Sequence, residues 1–538
     1  MESLAVHNLE LVFVLLLLFV ALLAAVAKRL RTPYPIVLVV GGLILSFLPH
    51  APRVELNPNL IFLVVIPPLV FSAAFLTSWR DFRQNLVSIS MLAFGLVGFT
   101  VFGVAAACRW ILPGFDWRMG LVLGAVVSTT DAIAATSIAK RVGLPKRIVD
   151  ILEGESLVND ATGLVALEFT VAMLVTGDTP TLGEGAARLI YLVVASILIG
   201  LIIGKLMRFL ESKIDEASIE ITLTFLAPYI AYLTAEAAHS SGVLATVACG
   251  LYLGHKSSFY FSRAARMRVE SVWDTVTFIL NGVVFVLIGL QLPYVLSEIS
   301  AAHLKHVIWL GALFSAVVIL LRLLWMFPGA WISNRIRHGV FRQSEPLPNP
   351  RAVFVVGWTG MRGVIALAAA MSLPTLLADG TRFPHRSLMI FLTFCVIFVT
   401  LVVQGLTLPP LIRWLGLAGL EGPNPEEQKA RRALAEASLA YLEHARDADV
   451  PDSASLYDEL IRLQRRRLDL LEEHESEDGA YSREEFERFR DLTAQVRSVQ
   501  RAALLSLRSH HEINDEVMRK LEHEIDTMEA RFASSDFF

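Results

Sequence analysis

Residues 120–140 read GLVLGAVVSTTDAIAATSIAK, an apolar stretch long enough to span a bilayer but interrupted in its middle by Ser128, Thr129, Thr130 and Asp131. Four successive polar side chains cannot all face one side of a helix. We therefore expect the helix to unwind near residues 128–132, which frees backbone carbonyls and amides to meet an ion. The alternative is a continuous helix whose polar patch packs against a neighbour, but an unpartnered acid in hydrocarbon would cost several kcal/mol.

The rest of the chain has the composition of a membrane protein. Of its 538 residues, 54% are hydrophobic and only 18% are charged, against about 25% charged in average soluble domains. Hydropathy predicts thirteen membrane spans, near residues 9–27, 34–49, 60–77, 85–112, 119–139, 148–176, 187–210, 218–238, 242–255, 273–293, 305–333, 351–376 and 387–417. Lys and Arg recur in alternate loops, which predicts an outside N-terminus, a cytoplasmic C-terminus and residence in the cell inner membrane.

Charge divides the chain into two domains. From Gly422 onward there are 17 basic and 27 acidic residues, so this part carries a net charge of −10 and the part before it +6. We therefore predict a transmembrane domain over residues 1–420 and a cytoplasmic tail over residues 421–538. The tail is rich in Ala, Leu, Glu and Arg, which is typical of long helices, with breaks at Pro451 and at residues 476–482. We expect it to be a regulatory or dimer-stabilising appendage.

Thirteen spans divide into two groups of six around the seventh. This division fits two inverted six-helix repeats, the usual plan of a transporter, and it makes span five equivalent to span twelve. Span twelve, VFVVGWTGMRGVIALAAAMSLP (353–374), is interrupted in its turn by Gly357, Gly360, Arg362 and Gly363. We expect a second broken helix near residues 357–363, crossing the first.

The sixth span, RIVDILEGESLVNDATGLVALEF (147–169), carries several polar side chains in its interior. Glu155 and Asn159 are one helical turn apart and share a face. Asp160 is turned away from Glu155 by roughly 140°, and Ser156 lies one turn before Asp160 on the same face. Asp160 can therefore face a cavity while Glu155 faces a structural partner.

Two arginines lie in apolar spans. Arg362 is the only charge inside span twelve and needs a carboxylate or freed carbonyls at that depth. Glu155 is its natural partner, because the two unpaired charges would then neutralise each other. Arg322 lies in span eleven, where it could extend toward the inner membrane surface.

Five motifs carry a resemblance: STTDAIAA, GESLVNDATGLV, LNGVVFVLIGLQL, GWTGMRGVIALAAAMSLP and VQGLTLPPLIRWLGL. They resemble the sodium/proton exchanger branch of the monovalent cation/proton antiporters, most closely its bacterial form with a long cytoplasmic tail. The resemblance covers roughly residues 10–420, in the order and spacing of the family. It implies two inverted repeats that form a dimerisation domain and a moving core domain, hence a homodimer in the lipid bilayer; nucleic acid is not an expected partner.

The resemblance also assigns roles to individual residues. The Asn-Asp pair that marks electroneutral exchange in the family falls on Asn159 and Asp160, and the Thr-Asp of the unwound span falls on Thr130 and Asp131. The ion-pairing Glu and Arg fall on Glu155 and Arg362, in agreement with the pairing argued above.

These assignments lead to a mechanism in which one cation and one proton compete for the Asp160 carboxylate. Thr130, Ser156 and carbonyls near Thr129 are the further oxygen ligands that we expect for the transported Na⁺. No cofactor is expected. The sequence does not separate Na⁺ from K⁺ or Li⁺, since all three accept hard oxygen ligands, so a K⁺/H⁺ antiporter remains the alternative.

Two positions depart from the family pattern. Many relatives carry an acid after the Pro-Pro of span three, where this chain has Ser72, and the usual Pro after the Thr-Asp is Ala132. The first departure leaves open what span three contributes to ion handling. A passive channel is the less favoured alternative, because it would use a ring of charges repeated across subunits. An intramembrane enzyme is not expected, because motifs such as HExxH and GxGD do not occur.

Overall fold

The computed structural model describes residues 2–48, 58–112, 114–176, 181–297, 304–340, 348–377, 380–419 and 425–448, together with short parts of 457–525. Throughout these residues the regular structure is helical, apart from one antiparallel bridge between Leu376 and Arg382. The chain divides into two compact units, Met1–Leu420 and Glu421–Phe538.

The described part of the first unit contains the following helices: α1 (Glu2–Arg29), α2 (Tyr34–Ser46), α3 (Pro58–Leu76), α4 (Trp79–Ile111), α5 (Trp117–Val126), α6 (Ala132–Val142), α7 (Lys146–Thr176), α8 (Leu182–Glu211), α9 (Ala217–Ala237), α10 (Gly242–Tyr260), α11 (Arg263–Leu290), α12 (Leu292–Ser297), α13 (Leu304–Gly339), α14 (Pro350–Trp358), α15 (Val364–Met371) and α16 (Arg386–Trp414).

Eight of the described helices are long and apolar enough to cross a membrane: α3, α4, α7, α8, α9, α11, α13 and α16. Two more, α2 and α5, are apolar but shorter. The first unit is therefore an all-helical, multi-pass membrane protein, as the composition predicts. The total of thirteen spans and the inverted repeats stay predictions.

Both predicted helix breaks are present. α5 ends at Val126 and α6 begins at Ala132, so the intervening residues 127–131 are not helical. α14 ends at Trp358 and α15 begins at Val364, which leaves residues 359–363 outside helices. Apart from the half-buried Asp131, the residues of both breaks are buried. The two breaks therefore expose backbone groups inside the protein, where each group needs a partner.

Three of the long helices contain a π turn, at Ile61–Val65 in α3, Met91–Leu96 in α4 and Thr400–Gln404 in α16. A π turn widens the helix by one residue and is frequent at functional sites. The hydroxyl of Thr400 accepts a hydrogen bond of 3.0 Å from the backbone N–H of Arg362. The π turn of α16 therefore supplies a partner for a backbone group that the second break leaves free.

The second unit contains α17 (Pro425–Ala448) and shorter helical stretches at residues 457–462 and 495–507. Arg446 of α17 pairs with Asp458 at 3.3 Å, and Glu443 pairs with Arg465 at 2.7 Å. Arg446 follows Glu443 in α17, whereas its partner Asp458 precedes Arg465. This reversed order shows that α17 and the next helical stretch run antiparallel. The predicted breaks at Pro451 and residues 476–482 lie outside the described residues.

Candidate functional site

The two helix breaks meet in the interior of the first unit. The backbone N–H of Asp131 donates to the carbonyl of Met361 at 2.8 Å, which joins the first break to the second. The Asp131 carboxylate caps α6 by accepting from the N–H of Ile133 at 2.8 Å. Gly363 allows this approach, since a Cβ there would lie 2.6 Å from the Cβ of Asp131. The breaks therefore contact each other, as expected for two broken helices that cross.

Polar side chains of α7 line the first break. The hydroxyl of Ser156 donates to the backbone carbonyl of Thr130 at 2.9 Å. The side-chain amide of Asn159 donates to the Thr130 hydroxyl at 2.5 Å, and that hydroxyl donates to Glu155 at 3.2 Å. The structure therefore brings together four of the residues that the sequence singled out.

The prediction that Glu155 pairs with Arg362 is wrong, because the basic partner of Glu155 is Arg322. The carboxylate of Glu155 accepts two hydrogen bonds from the guanidinium of Arg322, at 2.5 and 2.9 Å. Glu155 is 1% exposed and Arg322 is 2% exposed, so both charges are removed from solvent. Bidentate geometry of this kind is the strongest form of a carboxylate–arginine contact.

Arg322 also supports the second break. Its side chain donates to the carbonyls of Gly357 and Val356, each at 3.1 Å, at the end of α14. These are carbonyls that the end of a helix leaves without a partner inside the helix. One guanidinium thus neutralises Glu155 and satisfies the end of the broken helix, which explains why Arg322 and not Arg362 occupies this place.

The predicted extension of Arg322 toward the membrane surface is also wrong, and a signal in the sequence could have excluded it. α13 continues for 17 residues beyond Arg322 to its end at Gly339. At 1.5 Å per residue this is about 26 Å along the helix axis, much longer than an arginine side chain. An arginine at the centre of so long an apolar segment needs a partner at the same depth.

Arg362 lies in the same charged cluster with different contacts. Its side chain donates to the carbonyl of Gly360 at 3.2 Å, and its Nε has no hydrogen-bond partner among the described residues. The charged groups that interact electrostatically with Arg362 are Arg322, Glu155 and Asp160. Arg362 therefore contributes positive charge to the cluster without forming an ion pair in it.

Asp160 is the acid without a partner in this cluster. Its side chain is 6% exposed, and among the described residues it makes no hydrogen bond and no ion pair. Asp131, Glu155 and Arg362 are the charges that act on it. The side-chain oxygen of Asn159 has no partner in the described part of the chain either. Adjacent carboxylate and amide oxygens are therefore left open beside the first break.

The remaining expected site residue, Thr129, lies in the first break. Thr129 is buried, and its methyl group packs against Gly163 of α7 together with the hydroxyl of Ser128. Ser72 is buried elsewhere, in the contact between α3 and α11, where it accepts a hydrogen bond of 3.1 Å from Thr277. The position at which the resemblance led us to expect an acid thus holds a neutral hydrogen bond between two helices.

Two broken helices that meet beside a buried ion pair and a free carboxylate define a membrane transporter of the secondary type. Comparison with known proteins agrees. Residues 14–414 match the family described as sodium/hydrogen exchanger, transmembrane. The chain belongs to the sodium/hydrogen exchanger family, and is therefore an antiporter of monovalent cations and protons.

Individual relatives are similar over most of the chain. An uncharacterised Na⁺/H⁺ exchanger of Escherichia coli K12 is 32% identical over 96% of this chain and 98% of its own length. A sodium, potassium, lithium and rubidium/H⁺ antiporter of Bacillus subtilis is 33% identical over 74% of this chain and 61% of its own length. The structure of the sodium proton antiporter MjNhaP1 from Methanocaldococcus jannaschii matches 77% of this chain with a TM-score of 0.57 at 18% identity, which shows a shared fold.

Proposed function

We propose that this antiporter exchanges Na⁺ for H⁺ at the carboxylate of Asp160, with one cation exchanged for one proton. The observation that carries the proposal is that Asp160 is buried and makes no hydrogen bond or ion pair with any residue that the structure describes, whereas its acidic neighbours Glu155 and Asp131 are already engaged. A proton and a cation would each neutralise this carboxylate, so each excludes the other.

Competition at one carboxylate couples the two fluxes. An ionised and empty Asp160 carries an uncompensated charge in a poorly solvated site, and moving such a charge through the membrane interior is costly. The site would therefore change its access only when a proton or a cation is bound. Uncoupled leak through the empty form would be slow for the same reason.

The other oxygens around Asp160 fit a hard cation. The hydroxyls of Ser156 and Thr130 each retain capacity to bind a cation, and the Asn159 side-chain oxygen adds a further open ligand. Together with backbone carbonyls near Thr129, these groups form the proposed Na⁺ site. Carboxylate, carbonyl and hydroxyl oxygens are the ligands that hard cations prefer.

Electroneutrality follows if only Asp160 binds and releases ions. Glu155 is held by two hydrogen bonds from Arg322, and the Asp131 carboxylate caps α6. The amide of Asn159 does not titrate. Each half-cycle then moves one positive charge together with one aspartate, so no net charge crosses per full cycle.

Na⁺ is the preferred cation in this proposal, and K⁺ is the alternative. Relatives named as Na⁺/H⁺ antiporters occur in Synechocystis and in Aphanothece halophytica, at 31% and 30% identity. The Bacillus subtilis relative is named for sodium, potassium, lithium and rubidium. The breadth of that second name is the observation that favours testing K⁺ and Li⁺ alongside Na⁺.

We further propose thirteen spans in two inverted repeats, with the N-terminus outside and the C-terminus in the cytoplasm of the inner membrane. Counting α5 with α6 and α14 with α15 as one interrupted span each supports this number. The proposed assembly is a homodimer. The tail, whose α17 and next helical stretch run antiparallel, is the proposed regulatory or dimer-stabilising element.

The variant Asp160→Asn in liposomes tests the proposal. We expect a folded protein that no longer moves protons in response to Na⁺, because an amide cannot exchange a proton for a cation. Asp150→Asn provides a control with the same chemical change on the same helix, and should keep exchange. Cation-dependent proton movement by Asp160→Asn would contradict the proposal.

Kinetics of the unaltered protein provide a second test. Raising the proton concentration should increase the Na⁺ concentration for half-maximal rate without a matching loss of maximal rate, because the two ions compete for one site. Measurement with Na⁺, K⁺ and Li⁺ in turn ranks the cations. A loss of maximal rate with an unchanged half-saturation would contradict competition at Asp160.

A further inference from the structure

A second pair of buried acids lies away from the helix breaks. Glu211 is the last residue of α8 and Glu220 lies in the first turn of α9, and both side chains are 0% exposed. The electrostatic effect of Glu220 on Glu211 places the two carboxylates close to each other. Fully buried glutamates are rare unless they are paired.

The hydrogen bonds of this pair are incomplete. Glu220 accepts one bond of 2.9 Å from the backbone N–H of Ser262, at the start of α11. Its second oxygen has no hydrogen-bond partner among the described residues, and the hydroxyl of Tyr260 on α10 is the group that interacts with Glu211. No ion pair to either acid is found in the described part of the chain. The two buried carboxylates therefore have fewer partners than their four oxygens can accept.

The basic groups around the pair are engaged with other partners. Arg208, one turn before Glu211 on α8, donates to the hydroxyl of Tyr252 on α10 at 3.2 Å. Tyr260 and Cys249 face Glu211 from α10, and neither brings positive charge. From α11, Arg266 is exposed and donates to the carbonyl of Ser258, and α3 has no titratable residue in its sequence.

We propose that Glu211 and Glu220 form a second binding site for one unit of positive charge, a proton or an alkali cation, that is not transported. Two ionised carboxylates without a counter-charge would be too costly to bury. One bound positive charge relieves the repulsion between the two carboxylates. The site goes beyond the proposed exchange at Asp160, since α8, α9 and α10 contribute none of the residues proposed for that exchange.

Occupancy of this site joins the end of α8 to the starts of α9 and α11. An occupant stabilises the folded state by mass action, in proportion to the logarithm of its concentration once the site is saturated. Thermal stability, measured without transport, therefore reports the site directly.

The test uses the purified full chain carrying Asp160→Asn, in which the proposed transport carboxylate is removed. Thermal unfolding is followed in choline chloride from mildly acidic to alkaline pH, and then at alkaline pH with added NaCl or KCl at constant ionic strength. We expect the unfolding temperature to fall as protons are withdrawn. Recovery with Na⁺ or K⁺ identifies an alkali cation as an occupant, and no recovery identifies the proton alone.

Adding Glu211→Gln to this background should remove the pH and cation dependence and keep the protein stable at alkaline pH. Glu220→Gln is the second variant, and Glu216→Gln, an exposed glutamate at the start of α9, is the control that should retain the dependence. Infrared spectroscopy adds a structural readout, since Glu211→Gln should remove a carboxylic-acid carbonyl band if the pair holds a proton. The same unfolding profile with and without Glu211→Gln and Glu220→Gln would overturn the proposal.

Discussion

Replacing Glu155 with glutamine should destabilise the protein far more than its small change in shape suggests. The carboxylate accepts two hydrogen bonds from Arg322 and one from Thr130, and both members of the ion pair are almost fully buried. Glutamine removes the negative charge and leaves the guanidinium without a counter-charge. Breaking a buried pair in this way costs about 3–5 kcal/mol, against a total stability of about 5–15 kcal/mol in typical proteins.

A double-mutant cycle assigns this loss to the correct pair. Arg322→Gln should destabilise the protein to a similar degree, and Glu155→Gln combined with Arg322→Gln should lose less stability than the two single changes together. Glu153→Gln is the matched control on the same helix, because Glu153 pairs with the exposed Lys140 at 3.0 Å and such pairs contribute below about 1 kcal/mol. The measurement is the free energy of unfolding in detergent, with the yield of monodisperse protein as a check.

Two results would refute the reasoning. One is a Glu155→Gln protein within about 1 kcal/mol of the unaltered chain, since that value belongs to exposed pairs. The other is a coupling energy that appears between Glu155 and Arg362 and not between Glu155 and Arg322.

Three further predictions follow from the site. A membrane potential imposed with valinomycin at zero pH gradient should leave the exchange rate unchanged, and a change in rate would exclude electroneutral exchange. Gly363→Ala should abolish exchange, because its Cβ would overlap Asp131, whereas Gly98→Ala, whose Cβ would meet nothing within 4 Å, should be tolerated in the same liposome assay. A reporter that works only in the cytoplasm should be active when fused after Gly422, and a reporter that works only outside the membrane should be inactive there. The opposite result would contradict the proposed topology.

The positions of the helix breaks could be predicted from sequence because their cause is local. The run from Ser128 to Asp131 places polar groups all around one helix, and the glycines that surround Arg362 weaken the other. The partner of Glu155 could not be chosen in the same way. Two arginines lay in apolar spans, and only the packing of α13 against the end of α14 places Arg322 within reach of both Glu155 and the freed carbonyls.

Hydropathy by itself has a similar limit. It identifies residues 119–139 as one span, and only the polar run within them predicts the break between the helices of 10 and 11 residues. The π turns had no recognisable signal, since IFLVV at residues 61–65 is an ordinary apolar sequence. Thr400 was not identified as a site residue for that reason, although its hydroxyl meets the backbone of Arg362.

The hydrogen bonds between Arg322 and Asn159 converge on Glu155. Arg322 donates to Glu155, Thr130 also donates to Glu155, and Asn159 donates to Thr130. Among the described residues Asp160 makes no hydrogen bond to this path, and the amide of Asn159, which begins the path, does not titrate, so the path provides no proton relay from Asp160 to Glu155. Two acids only five residues apart on one helix are thus electrically coupled but insulated from each other in proton transfer. In the proposed exchange at Asp160, the proton would therefore reach and leave the carboxylate from the side that is open to water, and the direction of access would decide on which side of the membrane it is released.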